Sequence, residues 1–137
     1  MDVQKLLNNK SNTWLIFDQK VSKKYDFVSD LISLRLYRRW CKSLAKAIPS
    51  APHQRILDLA CGTGLIPLAI HKEHQDQTYQ YTGVDLSDEM LNIFRDKLSH
   101  HELSSQIELL REDATKLGLE SNHYDAVTMA CGIRNVG

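Results

Sequence analysis

Asp58, Cys61, Gly62, Thr63 and Gly64, followed at intervals by Asp85 and Asp113, are residues whose types and spacing suit ligand chemistry. The stretch Ile56-Leu57-Asp58-Leu59-Ala60-Cys61-Gly62-Thr63-Gly64 reads as a buried parallel strand running into a glycine-rich turn. Gly62 and Gly64 let the backbone turn sharply and admit a ligand with no Cβ in the way. A helix is predicted from Leu65 to His74, so the turn stands at a helix N-terminus, where unpaired N–H groups face a ligand. Asp85 lies 21 residues past Gly64, at the end of the next predicted strand, Tyr79 to Val84. A carboxylate there can accept from both hydroxyls of a ribose, with a turn or capping aspartate as the plainer alternative. Asp113 and Ala114 follow a third strand, Ile107 to Leu110, where the base of such a ligand belongs: Asp113 can accept from an exocyclic amine, while Ala114 leaves space and offers its N–H. Strand, glycine turn, helix and two spaced acids describe a nucleotide-type cofactor site.

These positions require an open α/β sheet. Ser87 is suited to cap the helix after the second strand, with Asp88 and Glu89 at its positive end and Met90, Leu91, Phe94 and Leu98 on its buried face. Asn122-His123 marks a turn, and Tyr124 to Met129 reads as a fourth strand, leading into Ala130 and Cys131-Gly132-Ile133-Arg134-Asn135-Val136-Gly137. Upstream, helical periodicity runs from Asp26 to Ile48, with Leu36, Trp40, Leu44 and Ile48 as its apolar face. Arg35, Arg38 or Arg39, Lys42 and Lys46 form a basic stripe over residues 35–46, either a solvated face or a surface for anionic lipid. Pro49-Ser50-Ala51-Pro52 ends this helix. Residues 1–24 are polar apart from the island Trp14-Leu15-Ile16-Phe17 and are read as an arm that orders over cofactor or substrate. The chain thus divides into a helical segment, 1–50, and a cofactor-binding part, 51–137.

Composition agrees with a globular domain: 137 residues, 42% hydrophobic and 25% charged. Lys+Arg and Asp+Glu balance at 17 each, so no global charge points to nucleic acid. The three cysteines, Cys41, Cys61 and Cys131, lack metal-ligand spacing, which argues against a metal site and for a reduced, cytoplasmic setting. No signal-peptide pattern or bilayer-length apolar run is present.

Two cofactor classes use this plan. A dinucleotide fingerprint places a third glycine where this chain has Pro67, which suits a first helical turn but removes the signature. Asp-x-x-Cys-Gly-Thr-Gly, with an acid after each of the next two strands, fits S-adenosyl-L-methionine better than a nicotinamide dinucleotide.

The segments ILDLACGTG, GVDLSDEML, EDATKL and YDAVTMACGIRNV resemble the successive motifs of the ubiquinone/menaquinone biosynthesis C-methyltransferases. KKYDFVSDLISLRLYRRW is similar to that family's N-terminal segment, and the likeness covers most of residues 14–137. The resemblance implies a Rossmann-like class I methyltransferase sheet, of which this chain carries the N-terminal part with strand order 3-2-1-4, preceded by helices. It also implies S-adenosyl-L-methionine as cofactor and C-methylation of a prenylated quinol ring as activity. Carried onto this chain, Asp58, Gly62, Thr63 and Gly64 surround the methionine part of the cofactor, Asp85 the ribose, and Asp113 with Ala114 the adenine. Ala130, where many relatives have serine, borders the cofactor, and Cys131 replaces a usual aromatic residue. Tyr25, Arg134 and Asn135 match the substrate end: Arg134 stabilises a phenolate, while Asn135 and Tyr25 orient the hydroxyl.

The expected acceptor is demethylmenaquinol, with a prenylated benzoquinol of ubiquinone biosynthesis as the alternative. A non-catalytic cofactor-binding fragment and an NAD-type half-domain are the competing readings. Only four strands are expected, and the fourth then presents an uncovered apolar edge. The basic helix would bring a cytoplasmic enzyme to the inner face of the membrane.

Overall fold

The computed structural model describes residues 36–130. Four strands, β1 (Gln54–Leu59), β2 (Tyr79–Asp85), β3 (Ile107–Arg111) and β4 (Ala126–Thr128), alternate with helices α1 (Leu36–Ala47), α2 (Leu65–Glu73) and α3 (Asp88–Leu98). A short 3-10 helix, Glu102–Ser105, which sequence periodicity did not reveal, precedes β3. The strands are all parallel in the order β3-β2-β1-β4, as expected. Asp58 pairs with Gly83 on one side and with Thr128 on the other, so β1 is central and its carboxyl end is framed by β2 and β4.

Parallel strands need helical crossovers, and the helices bury apolar faces against the sheet. Cys41 and Ala45 from α1, and Ile48 just after it, pack with Ile66 and Ile70 of α2 and with Ile56, Tyr79 and Tyr81 of the sheet. A second cluster joins Leu91, Phe94 and Leu98 of α3 to Cys61 and Leu103. Full burial of a side chain such as Phe94 contributes roughly 1.5–3 kcal/mol. Ser87 caps α3 as read from the sequence, its Oγ accepting from Met90 N at 3.3 Å, with Asp88 and Glu89 in the first turn.

Two expectations need correction. The buried face of α1 is Cys41 and Ala45, continued by Ile48, with Leu44 half-buried, whereas Leu36 and Trp40 are 42% and 59% exposed. The helix is turned by about a quarter from the face that the large residues suggested, and the small side chains Cys41 and Ala45 join Ile66 and Ile70 of α2 in the core. His74 Nε2 lies 2.9 Å from the Ala45 carbonyl and ties the end of α1 to the end of α2. The fourth strand is also shorter than Tyr124 to Met129. Tyr124 instead turns its hydroxyl to donate to Thr82 Oγ1 at 3.3 Å. Arg55 N donates to Asp125 Oδ2 at 2.8 Å, and Asp125 N to the Arg55 carbonyl at 2.8 Å, so β4 is stitched to β1 where it begins. Among the described strands β4 lies at one edge, with Val127 60% exposed.

Candidate functional site

The turn after β1 is built from three left-handed residues in five positions: Ala60 (φ 54°), Gly62 (φ 55°) and Gly64 (φ 84°). Cys61 N donates to the Val84 carbonyl at 3.0 Å and Gly64 N to the Cys61 carbonyl at 3.1 Å, so the turn is held against β2. The two glycines answer different demands. A Cβ on Gly64 would sit 2.2–2.4 Å from the Phe94 ring, so glycine is required there by packing against α3. A Cβ on Gly62 would meet nothing within 4 Å, so glycine there leaves open space above the turn. α2 starts directly after Gly64 without a side-chain cap, and Pro67 occupies its first turn. The N-terminal N–H groups of α2 therefore belong to the same edge of the sheet.

Asp85, at the end of β2, binds the turn directly. Its Oδ2 accepts from Gly62 N at 2.8 Å and its Oδ1 from Ser87 N at 2.9 Å. One carboxylate thereby fixes both the glycine turn and the start of α3. The capping and ligand roles weighed for Asp85 are compatible. Lys97 on α3 adds a cation to this edge, Nζ donating to the Thr63 carbonyl at 3.1 Å.

Asp58 lies beneath the turn with no exposed surface. Thr128 Oγ1 donates to its Oδ1 at 2.7 Å, while its Oδ2 and the nearby Tyr81 hydroxyl make no well-formed hydrogen bond. Burial pushes the Asp58 carboxyl up to about 7, against the opposing effect of Thr128 and Tyr81, and the Asp85 charge adds to the rise. Burial likewise pushes the Cys61 thiol well above its ordinary range, and Asp58 and Asp85 reinforce it, so this cysteine is an inert packing residue.

Asp113 and Ala114 follow β3 at the same carboxyl edge. Asp113 Oδ1 accepts from Thr115 Oγ1 at 2.7 Å and Thr115 N at 2.8 Å. The Thr115 hydroxyl, then its N–H, hold this carboxyl below the usual range, so Asp113 stays ionised. Ala130 follows β4 and is half-buried against the α1–α2 core. Asp58, Gly62, Thr63, Gly64, Asp85, Asp113, Ala114 and Ala130 thus share the carboxyl edge of one sheet, where open α/β folds bind ligands. Tyr25, Arg134, Asn135, Cys131 and the 1–24 arm lie outside the described residues. A cavity of about 280 Å³ opens at the opposite edge, lined by Arg55, Gln80, Gln106, His123 and Tyr124, away from the glycine turn. Tyr81, Lys97 and Thr128 were not singled out by sequence reasoning. Their partners lie 23 to 70 residues away along the chain, and no local spacing marks them.

Residues 5–137 match the ubiE/COQ5 methyltransferase family. A demethylmenaquinone methyltransferase of Bacteroides fragilis is 37% identical over 120 residues, which are 88% of this chain and 48% of the relative. The chain therefore spans about half the length of the curated relatives it matches. Among solved structures, one assigned as an S-adenosyl-L-methionine-dependent methyltransferase from Methanococcus maripaludis superposes with a TM-score of 0.70 at 19% identity, covering 86% of this chain and 52% of that one. A SAM-dependent methyltransferase from Thiobacillus denitrificans, in complex with S-adenosyl-L-homocysteine, superposes with a TM-score of 0.58 at 20% identity, covering 71% and 38%. The two structural likenesses bear on the fold: a Rossmann-like methyltransferase sheet.

Proposed function

The chain belongs to the ubiE/COQ5 methyltransferase family, and from that premise we propose that residues 51–137 form the cofactor-binding half of an S-adenosyl-L-methionine-dependent C-methyltransferase. The observation that carries this reading is the open space at Gly62, bounded by the Asp85 carboxylate at the carboxyl ends of β1 and β2. A ligand that fills it meets backbone N–H groups, a ribose-competent acid and the start of α2. Those are the groups that an adenosyl amino acid uses. The buried Asp58 beneath supplies negative charge for the ammonium of its methionine part.

Bound there, the cofactor supplies an electrophilic sulfonium methyl group. The chain's own residues hold and orient it: Gly62, Thr63 and Gly64 by close backbone approach, Asp85 at the ribose, and Asp113 with Ala114 at the adenine. Ala130 forms the border toward the acceptor, with one polar contact fewer than a serine would give. We assign the acceptor as a prenylated quinol, demethylmenaquinol, on the strength of the name of the Bacteroides fragilis relative. Arg134 is cast as the cation that stabilises the ring phenolate, since its guanidinium stays protonated and is a poor base, with Asn135 and Tyr25 orienting the hydroxyl. Alignment of ring carbon and methyl group, and exclusion of water by residues 1–50, supply the remaining rate enhancement.

A membrane surface is the setting proposed for such a lipid-tailed acceptor. Trp40 and Leu36 are exposed on α1 beside exposed Arg39 and Lys42, an arrangement that supports contact with anionic lipid. The functional reading is tested by calorimetric titration with S-adenosyl-L-homocysteine, NADH in parallel, followed by methyl transfer from labelled cofactor to demethylmenaquinol. Saturable binding of S-adenosyl-L-homocysteine, lost in Asp85→Ala, is expected. Binding of NADH instead would replace the methyltransferase reading with the dinucleotide one.

A further inference from the structure

Asp58, Tyr81 and Thr128 come from three adjacent strands and meet beneath the glycine turn, and their polar atoms do not balance. Thr128 satisfies Asp58 Oδ1, whereas Asp58 Oδ2 and the Tyr81 hydroxyl are buried without a well-formed hydrogen bond, although Tyr81 is near enough to favour the Asp58 charge. Burying the charge of a carboxylate is costly, and a proton on Oδ2 removes that charge. When the carboxyl is ionised, the Tyr81 O–H has to donate to Oδ2. The groups acting on Asp58 are Thr128 and Tyr81, which favour its charge, and Asp85, which opposes it; Cys61, next to the turn, is neutral. Among the described residues no cation is one of them, Lys97 being engaged with the Thr63 carbonyl on the same turn, so a positively charged group brought to the turn would change the balance.

We propose that this trio is a proton-linked support for the glycine turn: an adenosyl amino acid bound above it drives one proton from Asp58 to solvent, and Tyr81 is the positioning residue that receives the resulting carboxylate. The inference rests on the cofactor reading above. Its geometric basis is the burial of Asp58 Oδ2 and the Tyr81 hydroxyl on adjacent strands, neither in a full hydrogen bond, close to a turn with open space at Gly62, and the rise of the Asp58 carboxyl to about 7 puts the exchange near neutral pH. The step balances simply: the Asp58 O–H bond breaks, its proton passes to buffer, and the Tyr81 O–H turns to donate to Oδ2.

The test is calorimetry of the full chain with S-adenosyl-L-homocysteine between pH 5.5 and 8.5, at each pH in two buffers that both hold it but differ in ionisation enthalpy, phosphate and imidazole near pH 7 among them, so that the difference in heat reports protons exchanged. Close to one proton should be released at the acid end, about half near pH 7 and none at pH 8.5, with affinity falling about tenfold per pH unit below 7. Asp58→Asn, which can keep the Thr128 bond, should abolish both the proton release and this slope. Tyr81→Phe should move the midpoint to higher pH, which a tyrosine that only fills space would not do. Saturable binding with no proton exchanged, or a release that persists in Asp58→Asn, would overturn the linkage alone. Absence of binding at every pH would overturn the cofactor reading and the linkage with it.

Discussion

Gly62 and Gly64 share a left-handed backbone but differ in what stands beside them, and alanine at each should therefore fail differently. Placing a Cβ on a left-handed residue costs about 1–2 kcal/mol, partly offset by about 0.4–1 kcal/mol from the stiffer unfolded chain. At Gly62 nothing lies within 4 Å of the new methyl, so Gly62→Ala should lose only about 1 kcal/mol of stability. At Gly64 the methyl would come within 2.2 Å of the Phe94 ring, whose side chain is fully buried and cannot swing aside. Overpacking of that kind adds about 1–3 kcal/mol, bringing Gly64→Ala to a loss of about 2–4 kcal/mol, a large share of the stability of a small domain. Urea denaturation separates the two. Ligand titration should reverse the order of interest: Gly62→Ala stays folded yet loses at least about tenfold in S-adenosyl-L-homocysteine affinity, because its methyl occupies ligand space. The double variant Gly64→Ala/Phe94→Leu should recover most of the clash, appearing as about 1–3 kcal/mol of coupling. Equal destabilisation by the two alanines, or strict additivity in the double variant, would refute the division of roles.

Other outcomes follow from the same geometry. Asp58 has a higher pKa folded, about 7, than unfolded, so the native state binds its proton more tightly. Its contribution to stability is complete below about pH 4 and is lost as pH rises to about 7. Asp58→Asn removes that loss, so its stability relative to wild type should rise by about 3 kcal/mol between pH 5 and pH 8, measured by urea denaturation at each pH. Ala60→Gly should stabilise by about 0.5 kcal/mol, because relief of the left-handed Cβ outweighs the added freedom of the unfolded chain; a lower denaturation midpoint would contradict the strain assigned to Ala60. Vesicles containing anionic phosphatidylglycerol should bind the chain and shift tryptophan emission to the blue, and Trp40→Ala should reduce both effects. Neutral vesicles binding equally well would remove the basic stripe from the explanation.

What could be read from the sequence was local. The apolar run Ile56-Leu57 into Gly62-Thr63-Gly64, the interval to Asp85 and the Ser87 cap each depend on neighbours a few residues apart or on one βαβ repeat, and the structure contains them in the expected order. Trp40 and Leu36 look like core by size, whereas the buried face of α1 carries the small residues Cys41 and Ala45, which size alone does not mark. Ala60 gave no sign of its left-handed backbone, since alanine is rarely placed there. The Asp58–Tyr81–Thr128 trio depends on strand register across most of the domain and leaves no short-range pattern. Spacing marks Asp85, but its bond to Gly62 N, which shapes the turn, depends on the pairing of β1 with β2 and leaves no mark in the spacing.

The all-parallel order β3-β2-β1-β4 also fixes a sequence of events in time. Paired positions of β1 and β2, or of β2 and β3, are about 25 residues apart, so two compact βαβ units can assemble early. Thr128 meets Asp58 across 70 residues, and closing that longer loop costs about 1 kcal/mol more. β4 therefore docks late, and the acidic floor of the glycine turn acquires its hydroxyl partner only in the last step. Contacts made after the transition state govern how fast a protein opens rather than how fast it forms. Thr128→Val should consequently speed unfolding and leave refolding nearly unchanged, so the lifetime of the site is set at β4 while its shape is set at β1.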